Sequence, residues 1–150
     1  MTELFLEDLT VGQTFGSGRL RIDAEAIKRF AAEFDPQPFH LDEQAARETI
    51  FGGLAASGWH TTALTMRLLV ESDFKPAGGV VGASFDELRW PKPLRPGDEL
   101  HVETEILEIK SSKSRPELGF IKVKVTTLNQ AGEAVQTYIG NLVVLSRSHV

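Results

Sequence analysis

The chain has 150 residues, of which 41% are hydrophobic and 25% charged, and its formal net charge is -5. These values are typical of one soluble globular domain over residues 1–150, long enough to bury a hydrophobic core. The acidic balance argues against general nucleic-acid binding, which needs a basic surface. The absence of cysteine excludes disulfides, a thiol nucleophile and a cysteine-type zinc site.

The N-terminal segment carries no targeting signal that we can identify. Residues 1–15 lack a basic region followed by an apolar run, so we expect no signal peptide. No apolar run approaches the roughly 20 residues that a membrane helix needs. We therefore expect a cytoplasmic protein without a membrane partner.

The first predicted elements are a short strand and an amphipathic helix. Residues 11–21 predict the strand, which two glycines interrupt. Asp23 is a preferred N-cap for the helix that follows. The apolar face of this helix recurs at helical spacing: Ile27, Phe30, Ala31 and Phe34. We expect the helix to stop at Asp35, because Pro36 disfavours helical dihedral angles in the residue before it.

An irregular segment follows. Two prolines separate Asp35 from His40, and we expect an extended link that holds these two side chains in a fixed relation. Asp42 is a suitable cap for a short helix that runs to Arg47.

A long apolar helix is predicted over residues 59–71, with Ser57 as its N-cap. Its apolar residues form one wide stripe: Trp59, Ala63, Leu64, Met66, Leu68, Leu69 and Val70. A helix that is apolar over so much of its girth is usually central and buried.

The second half of the chain changes to the period of two that is typical of β-strands. Alternation over residues 81–85 predicts a half-buried strand. Two further strands have inward positions at Leu100, Val102, Thr104, Ile106, Ile121, Val123, Val125 and Thr127. The phase slips at residues 107–109, which predicts a bulge. A hairpin turn at residues 129–133 leads to a last strand over residues 135–145, apolar on both faces in its second half, as in a central or interface strand.

This order of elements predicts an α+β fold in which an antiparallel sheet wraps around one central helix. One helix cannot cover both faces of such a sheet. We therefore expect a homo-oligomer, of which a two-fold dimer is the commonest kind.

Asp35 and His40 are candidates for acid–base chemistry. An imidazole titrates near neutral pH, and a carboxylate can be its partner, so the two can hold one water between them. The same spacing is also common in proteins where the acid merely ends a helix and the histidine is an ordinary, partly buried polar residue.

The start of the long helix, at Ser57 and Gly58, is a second candidate. The first N–H groups of a helix lack intrahelical partners, so they can stabilise an oxyanion on a thioester carbonyl. Glycine has no side chain to block a ligand, although a plain serine N-cap explains the same residues. We expect His60 and His101 to be structural or solvated, assign no role to His149, and predict no metal site. There is no G-x-S-x-G, G-x-G-x-x-G or P-loop motif.

Three parts of the chain resemble the MaoC-type dehydratases, the (R)-specific enoyl-CoA hydratases of the hot-dog fold. They are the segment FAAEFDPQPFHLDEQAA, Gly58 at the start of a long apolar helix, and the stretch from Trp90-Pro91 to Gly97-Asp98. The family's motif reads Gly-Asp-x-Asn-Pro-aliphatic-His, with a small residue soon after. The matching positions are Asp35, Pro38, His40 and Ala45.

The chain departs from the family's pattern at five positions. Phe34 stands in place of the motif's Gly, Gln37 in place of its Asn, and Phe39 in place of its aliphatic residue. Ser57 stands where the family often has a His, and Met66 where short-chain hydratases can have a Ser. These changes bear on the substrate more than on the proton chemistry.

The resemblance implies a reaction and roles for these residues. Asp35 and His40 would hold a water and shuttle its protons, with Gln37 orienting the pair, and the N–H of Gly58, after Ser57, would bind the thioester oxygen. The reaction would be reversible syn hydration of a trans-2-enoyl thioester to an (R)-3-hydroxyacyl thioester. No metal or redox cofactor is implied, since coenzyme A is part of the substrate.

The resemblance also implies a partner for the surface near the site. The substrate would be an acyl-CoA or an acyl-carrier thioester, its acyl chain lined by Trp59 and Met66. Arg89, Lys92 and Arg95 are candidates for contacting the carrier's phosphates, although we favour solvation at the surface as the explanation for them. A hot-dog homodimer agrees with the predicted packing of the long helix.

Two alternatives stay open. A hot-dog thioesterase would need a carboxylate on or beside the long helix, and residues 59–70 contain none. A non-catalytic acyl-thioester-binding protein of the same fold would tolerate the departures at Phe34 and Gln37.

Overall fold

The computed structural model describes residues 3–147 and contains a six-stranded antiparallel sheet. Its helices are a 3-10 helix Leu6–Asp8, α1 Ala24–Phe34, α2 Pro38–Leu41, α3 Glu43–Arg47 and α4 Gly58–Val70. Its strands are β1 Thr14–Gly16, β2 Leu20–Arg21, β3 Val81–Arg89, β4 Glu99–Ser111, β5 Leu118–Leu128 and β6 Ala134–Leu145. The strands lie in the order β1-β4-β5-β6-β3, and β2 also pairs with β4.

The inward positions predicted for β4 and β5 are confirmed, because every one of them is buried. Successive strand residues point to opposite faces, so alternating Val, Ile and Thr side chains cover one face of the sheet. The register of the two strands shifts between Ile106 and Glu108, which is where the sequence predicts a bulge. The strand expected over residues 11–21 is divided into β1 and β2, as its glycines indicate.

The buried face of helix α4 matches the predicted stripe only in part, through Leu68 and Leu69. Its buried residues are His60, Thr61, Thr65, Leu68 and Leu69. Trp59 and Val70, which the apolar stripe places in the core, are 59% and 46% exposed. The reason is that the Thr61 and Thr65 hydroxyls donate to backbone carbonyls within the helix, so threonine can face the sheet without leaving a buried donor unpaired.

The two prolines predicted an extended link between Asp35 and His40, but only part of this link is extended. Gln37 is extended, but Pro38 begins α2, because proline fits the first position of a helix, where an N–H is unpaired anyway. The cap at Asp42 is confirmed, since its carboxylate accepts from the N–H groups of Gln44 and Ala45.

Strand β3 is the last strand at one edge of the sheet, and almost all of its residues are exposed. The prediction of a half-buried strand at residues 81–85 is therefore wrong for a single chain. Strand β6 lies between β5 and β3, so the central strand predicted from its apolar second half is confirmed, with Leu142 and Val144 buried on one face and Val143 and Leu145 lying on the other. Within residues 3–147, no helix combines the length and apolar character needed to cross a membrane.

Candidate active site

Asp35 and His40 lie side by side because a tight turn joins two helices. Asp35 is the C-cap of α1, and the N–H of Gln37 donates to its carbonyl at 2.8 Å. The N–H of His40 then donates to the Gln37 carbonyl at 2.9 Å. The turn brings the Asp35 Oδ2 and His40 Nε2 atoms to 3.3 Å, with 19% and 6% of the two side chains exposed.

The ring of His40 is held in one orientation by a backbone carbonyl. Its Nδ1 lies 2.6 Å from the carbonyl oxygen of Ala55. A carbonyl only accepts hydrogen bonds, so Nδ1 carries the proton of the neutral ring. Nε2 is then left with a lone pair that faces Asp35. Two acceptors at this separation are compatible when a water donates to both of them or when the imidazole is protonated.

The carboxylate of Asp35 is held in its ionised form. Burial raises the pKa of Asp35, but hydrogen bonds from the side chains of Ser57 and Gln37, together with the charge of His40, outweigh burial and leave the pKa below its ordinary value. The Gln37 amide donates to Asp35 Oδ1 at 2.6 Å. Gln37 therefore occupies one carboxylate oxygen and leaves Oδ2 to face the imidazole.

The start of α4 lies next to this pair, through Ser57. The Ser57 hydroxyl oxygen accepts from the N–H of Trp59 at 3.2 Å, which is the predicted N-cap. As the first residue of α4, Gly58 has no acceptor for its N–H within the helix. The structure gives a different reason for the glycine itself. A Cβ at Gly58 would lie 2.6 Å from the indole of Trp90, so the glycine makes room for this ring.

A buried polar network fixes Trp90, and sequence reasoning missed it. The Trp90 Nε1–H donates to Gln136 Oε1 at 2.8 Å, and the Thr62 hydroxyl reaches the same oxygen at 2.7 Å. The Gln136 amide donates to Thr65 Oγ1 at 3.1 Å, and Thr65 also bonds Thr127 at 2.6 Å. Gln136 is fully buried. The available signal was a glutamine on a strand that is otherwise apolar at its buried positions.

An apolar cavity of about 380 Å³ adjoins the exposed face of α4. Its lining residues come from α4 and from the facing strands: Trp59, Thr62, Ala63, Met66, Phe85, Leu88 and Tyr138. Burial raises the pKa of Tyr138 to about 12. Trp59 and Met66, which the resemblance places beside the acyl chain, both line this cavity, and Met66 also packs against the core.

The remaining histidines stand apart from the pair. The ring of His60 is buried and stacks on Phe30 at 4.4 Å, and burial with the charge of Arg29 lowers its pKa. His101 lies on β4, 3.8 Å from Glu103. His149 lies outside the described residues. No group of three or more His, Asp or Glu side chains within residues 3–147 is arranged to hold a metal ion.

The three basic residues considered for phosphate binding have protein partners. Arg89 pairs with Glu87 at 3.3 Å, and Lys92 pairs with Glu133. Arg95 is half-buried and donates to backbone carbonyls rather than being solvated.

Comparison with known proteins identifies the family. A family model described as "MaoC like domain" matches residues 8–129, so the chain belongs to the MaoC-like family. The chain has the α+β hot-dog fold of that family, as predicted. Its structure superposes on a crystal structure of a MaoC-like dehydratase from Rhodospirillum rubrum with a TM-score of 0.93 and 61% identity, covering 96% of this chain and 98% of that chain.

Two curated proteins are also similar. "Uncharacterized protein YdeM" of Bacillus subtilis (strain 168) is 36% identical over 140 residues, 93% of this chain and 96% of that protein. "3-hydroxybutyryl-CoA dehydratase" of Methylorubrum extorquens is 30% identical over 116 residues, 77% of this chain and 72% of that protein.

Proposed function

We propose that the chain catalyses the reversible syn hydration of a trans-2-enoyl-CoA to an (R)-3-hydroxyacyl-CoA. The observation that carries the proposal is the 3.3 Å approach of Asp35 Oδ2 to His40 Nε2. Membership of the MaoC-like family and the similarity to a protein named 3-hydroxybutyryl-CoA dehydratase support it.

The pair can activate one water. His40 is the better base, because its Nε2 has a free lone pair, whereas a carboxylate with a lowered pKa is a weak base. Nε2 takes a proton from the water as the water oxygen bonds to C3 of the substrate, and the electron pair of the C2–C3 double bond moves toward the thioester oxygen. Asp35 holds the other hydrogen of the water. The proton on Nε2 then goes to C2 from the same face, which makes the addition syn.

The negative charge that develops on the thioester oxygen needs a donor. The N–H of Gly58 lies at the positive end of the 13-residue helix α4. Ser57, whose side chain hydrogen-bonds to Asp35, immediately precedes Gly58. The Asp35–His40 pair and the N–H of Gly58 are therefore adjacent. This is the arrangement that stabilises an enolate as it forms.

The apolar cavity is the proposed site of the acyl chain, with Trp59 and Met66 on its wall. An acyl chain fits its apolar lining. Hydration adds water and transfers no electrons to an acceptor, so the proposal includes no redox cofactor. The carrier is coenzyme A or an acyl carrier protein.

We further propose a homodimer formed through β3. In the described part of the chain, the outer edge of this strand pairs with no other strand. Apolar side chains on and near it are exposed, including Val81 at 52% and Phe85 at 48%. An edge of this kind is a template for pairing with a second chain.

The direct test is the loss of enoyl-thioester absorbance with trans-2-enoyl-CoAs of short, long and branched chains. We expect turnover with one class and formation of the (R)-alcohol. Asp35→Ala and His40→Ala should each abolish it without unfolding the protein. Asp73→Ala, at an exposed position, and His101→Ala are matched controls that should retain it.

Other outcomes distinguish the alternatives. Wild-type turnover in either site variant would show that the pair is not catalytic. Release of free thiol would indicate a thioesterase, which the absence of any carboxylate on α4 disfavours. Tight binding of the same thioesters without turnover would indicate a non-catalytic binding protein.

A further inference from the structure

Arg95 is a half-buried cation whose hydrogen bonds go to backbone carbonyls. Its Nη1 donates to the carbonyl of Gly53 at 3.0 Å and to that of Leu54 at 3.3 Å, and its Nη2 donates to the carbonyl of Phe51. Among residues 3–147, its guanidinium forms no ion pair. The rigid fork of a guanidinium suits several acceptors at once, whereas a lysine ammonium is a single point charge.

The bend that Arg95 holds leads directly to the carbonyl that orients His40. Leu54 is followed by Ala55, whose carbonyl oxygen lies 2.6 Å from His40 Nδ1. The next residue, Ala56, donates its N–H at 2.9 Å to the carbonyl of Leu94, the neighbour of Arg95.

The other side of this segment is fixed by α2. The N–H of Ala55 donates to the carbonyl of Phe39 at 3.1 Å, and the ring of Phe51 packs on that of Phe39 with a centroid separation of 5.0 Å. The Ala55 peptide is therefore held between α2 and the connection that follows β3. Its carbonyl, which faces the imidazole, therefore lies between supports on both sides.

We infer that Arg95 is a positioning residue that sets the tautomer of His40. A neutral imidazole can carry its proton on either nitrogen, and the bond made by one nitrogen decides the state of the other. With the Ala55 carbonyl in place, Nδ1 is protonated and Nε2 is the base. Without the clamp the carbonyl shifts, and Nε2 can hold the proton and donate it to Asp35, which removes the base. The expected effect on catalysis rests on the proposed hydration, whereas the effect of Arg95 on the tautomer of His40 does not depend on it.

The test compares Arg95→Ala, Arg95→Lys and the wild type, with Arg115→Ala as a matched control. Arg115 is 67% exposed and pairs with Glu117 far from the bend. The first readout is a long-range ¹H–¹⁵N spectrum of protein labelled on histidine, with His40 identified by its loss in His40→Asn. The wild type and Arg115→Ala should show the Nδ1-protonated ring, and Arg95→Ala should show a mixture or the opposite tautomer.

The second readout is hydration of the enoyl-CoA that the wild type accepts. In Arg95→Ala we expect kcat to fall by about 10- to 100-fold with a smaller change in KM, because a shift of about 1 Å in a reacting group costs on that order. Added guanidinium ion should restore part of kcat. Arg95→Lys should be intermediate, and it serves the same test if Arg95→Ala does not fold.

The inference is overturned if both Arg95 variants keep the wild-type tautomer of His40, even if they melt at lower temperature. That result would make Arg95 a purely structural residue. If the wild type hydrates none of the thioesters, the proposed function fails, but the tautomer spectrum still decides the role of Arg95.

Discussion

Gly58→Ala is the substitution that most directly tests how the helix start is built. The added Cβ would lie 2.6, 2.7 and 2.8 Å from three carbon atoms of the Trp90 indole. Carbon atoms in contact normally lie about 3.5 to 4.0 Å apart, so the ring must move by roughly 1 Å. The 2.8 Å hydrogen bond from Trp90 to the fully buried Gln136 opposes that movement.

The expected loss of stability is the cost of overpacking against Trp90 less the gain in helix propensity. Overpacking of this kind costs about 1 to 3 kcal/mol, and the better helix propensity of alanine returns up to about 1 kcal/mol. We therefore expect the free energy of unfolding to fall by about 1 to 2 kcal/mol. A chain of this size should then melt lower by about 2 to 4 °C per kcal/mol. Gly18→Ala, where the added Cβ meets nothing within 4 Å, is the control and should melt like the wild type.

The assay is thermal and urea unfolding of the single variants and of the Gly58→Ala/Trp90→Ala double variant. Removing the indole removes the obstacle, so Gly58→Ala should cost little in the Trp90→Ala background. The difference between the two backgrounds is the coupling energy of this one contact. Equal costs in both backgrounds, or a wild-type melting temperature for Gly58→Ala, would refute the argument that the glycine exists to accommodate the ring.

Two further predictions concern buried polar groups near the cavity. Gln136→Leu removes the acceptor of Trp90 and the donor to Thr65, so the free energy of unfolding should fall by about 1 to 3 kcal/mol; an unchanged urea midpoint would contradict this. Tyr138, the only tyrosine, has its pKa raised from 10.0 to about 12 by burial, so the folded state keeps its proton longer than the unfolded state. Stability should therefore be lost as pH rises from about 10 to about 12, by an amount on the order of 2 to 3 kcal/mol, and Tyr138→Phe should lack this loss. Ultraviolet titration of the folded wild type checks it, and a midpoint near 10 would contradict the prediction.

The strands could be predicted from the sequence because their pattern is local. In β5, and in β4 as far as Ile106, every second residue is buried, and the sequence alternates with the same period. The register shift between Ile106 and Glu108 could be predicted for the same reason, since one extra residue reverses the phase of all that follow. The proximity of Asp35 and His40 could be predicted too, because they are five positions apart and a turn joins them.

The buried face of α4 could be predicted from hydrophobicity only at Leu68 and Leu69. Trp59, Ala63 and Met66 are more apolar than Thr61 and Thr65, yet the threonines face the sheet. Each threonine donates to a carbonyl of its own helix, so it enters the core as a small side chain with its donor satisfied. The apolar residues are left to line a cavity, where an exposed apolar surface suits a ligand rather than the core.

The supports of the site were invisible because they are distant in sequence. Arg95 lies 44 residues from Phe51, and Gln136 lies 46 residues from Trp90. Composition says nothing about which of many polar residues will meet across such a separation. The conservative interpretation of Arg95 as a solvated surface residue followed from its charge alone, and only the fold shows the carbonyls that it holds.

These supports divide the site into two parts with different roles. Residues 35–58 supply the groups that would react, whereas Trp90 and Arg95, on the connection between β3 and β4, fix where those groups stand. Trp90 packs against the helix start at Gly58, and Arg95 holds the bend before the carbonyl that orients His40. Both contacts come from a stretch stiffened by prolines at positions 91, 93 and 96, which limit its backbone freedom. Substitutions in this connection should therefore lower the rate of the proposed reaction by displacing the reacting groups, although none of those groups is itself removed.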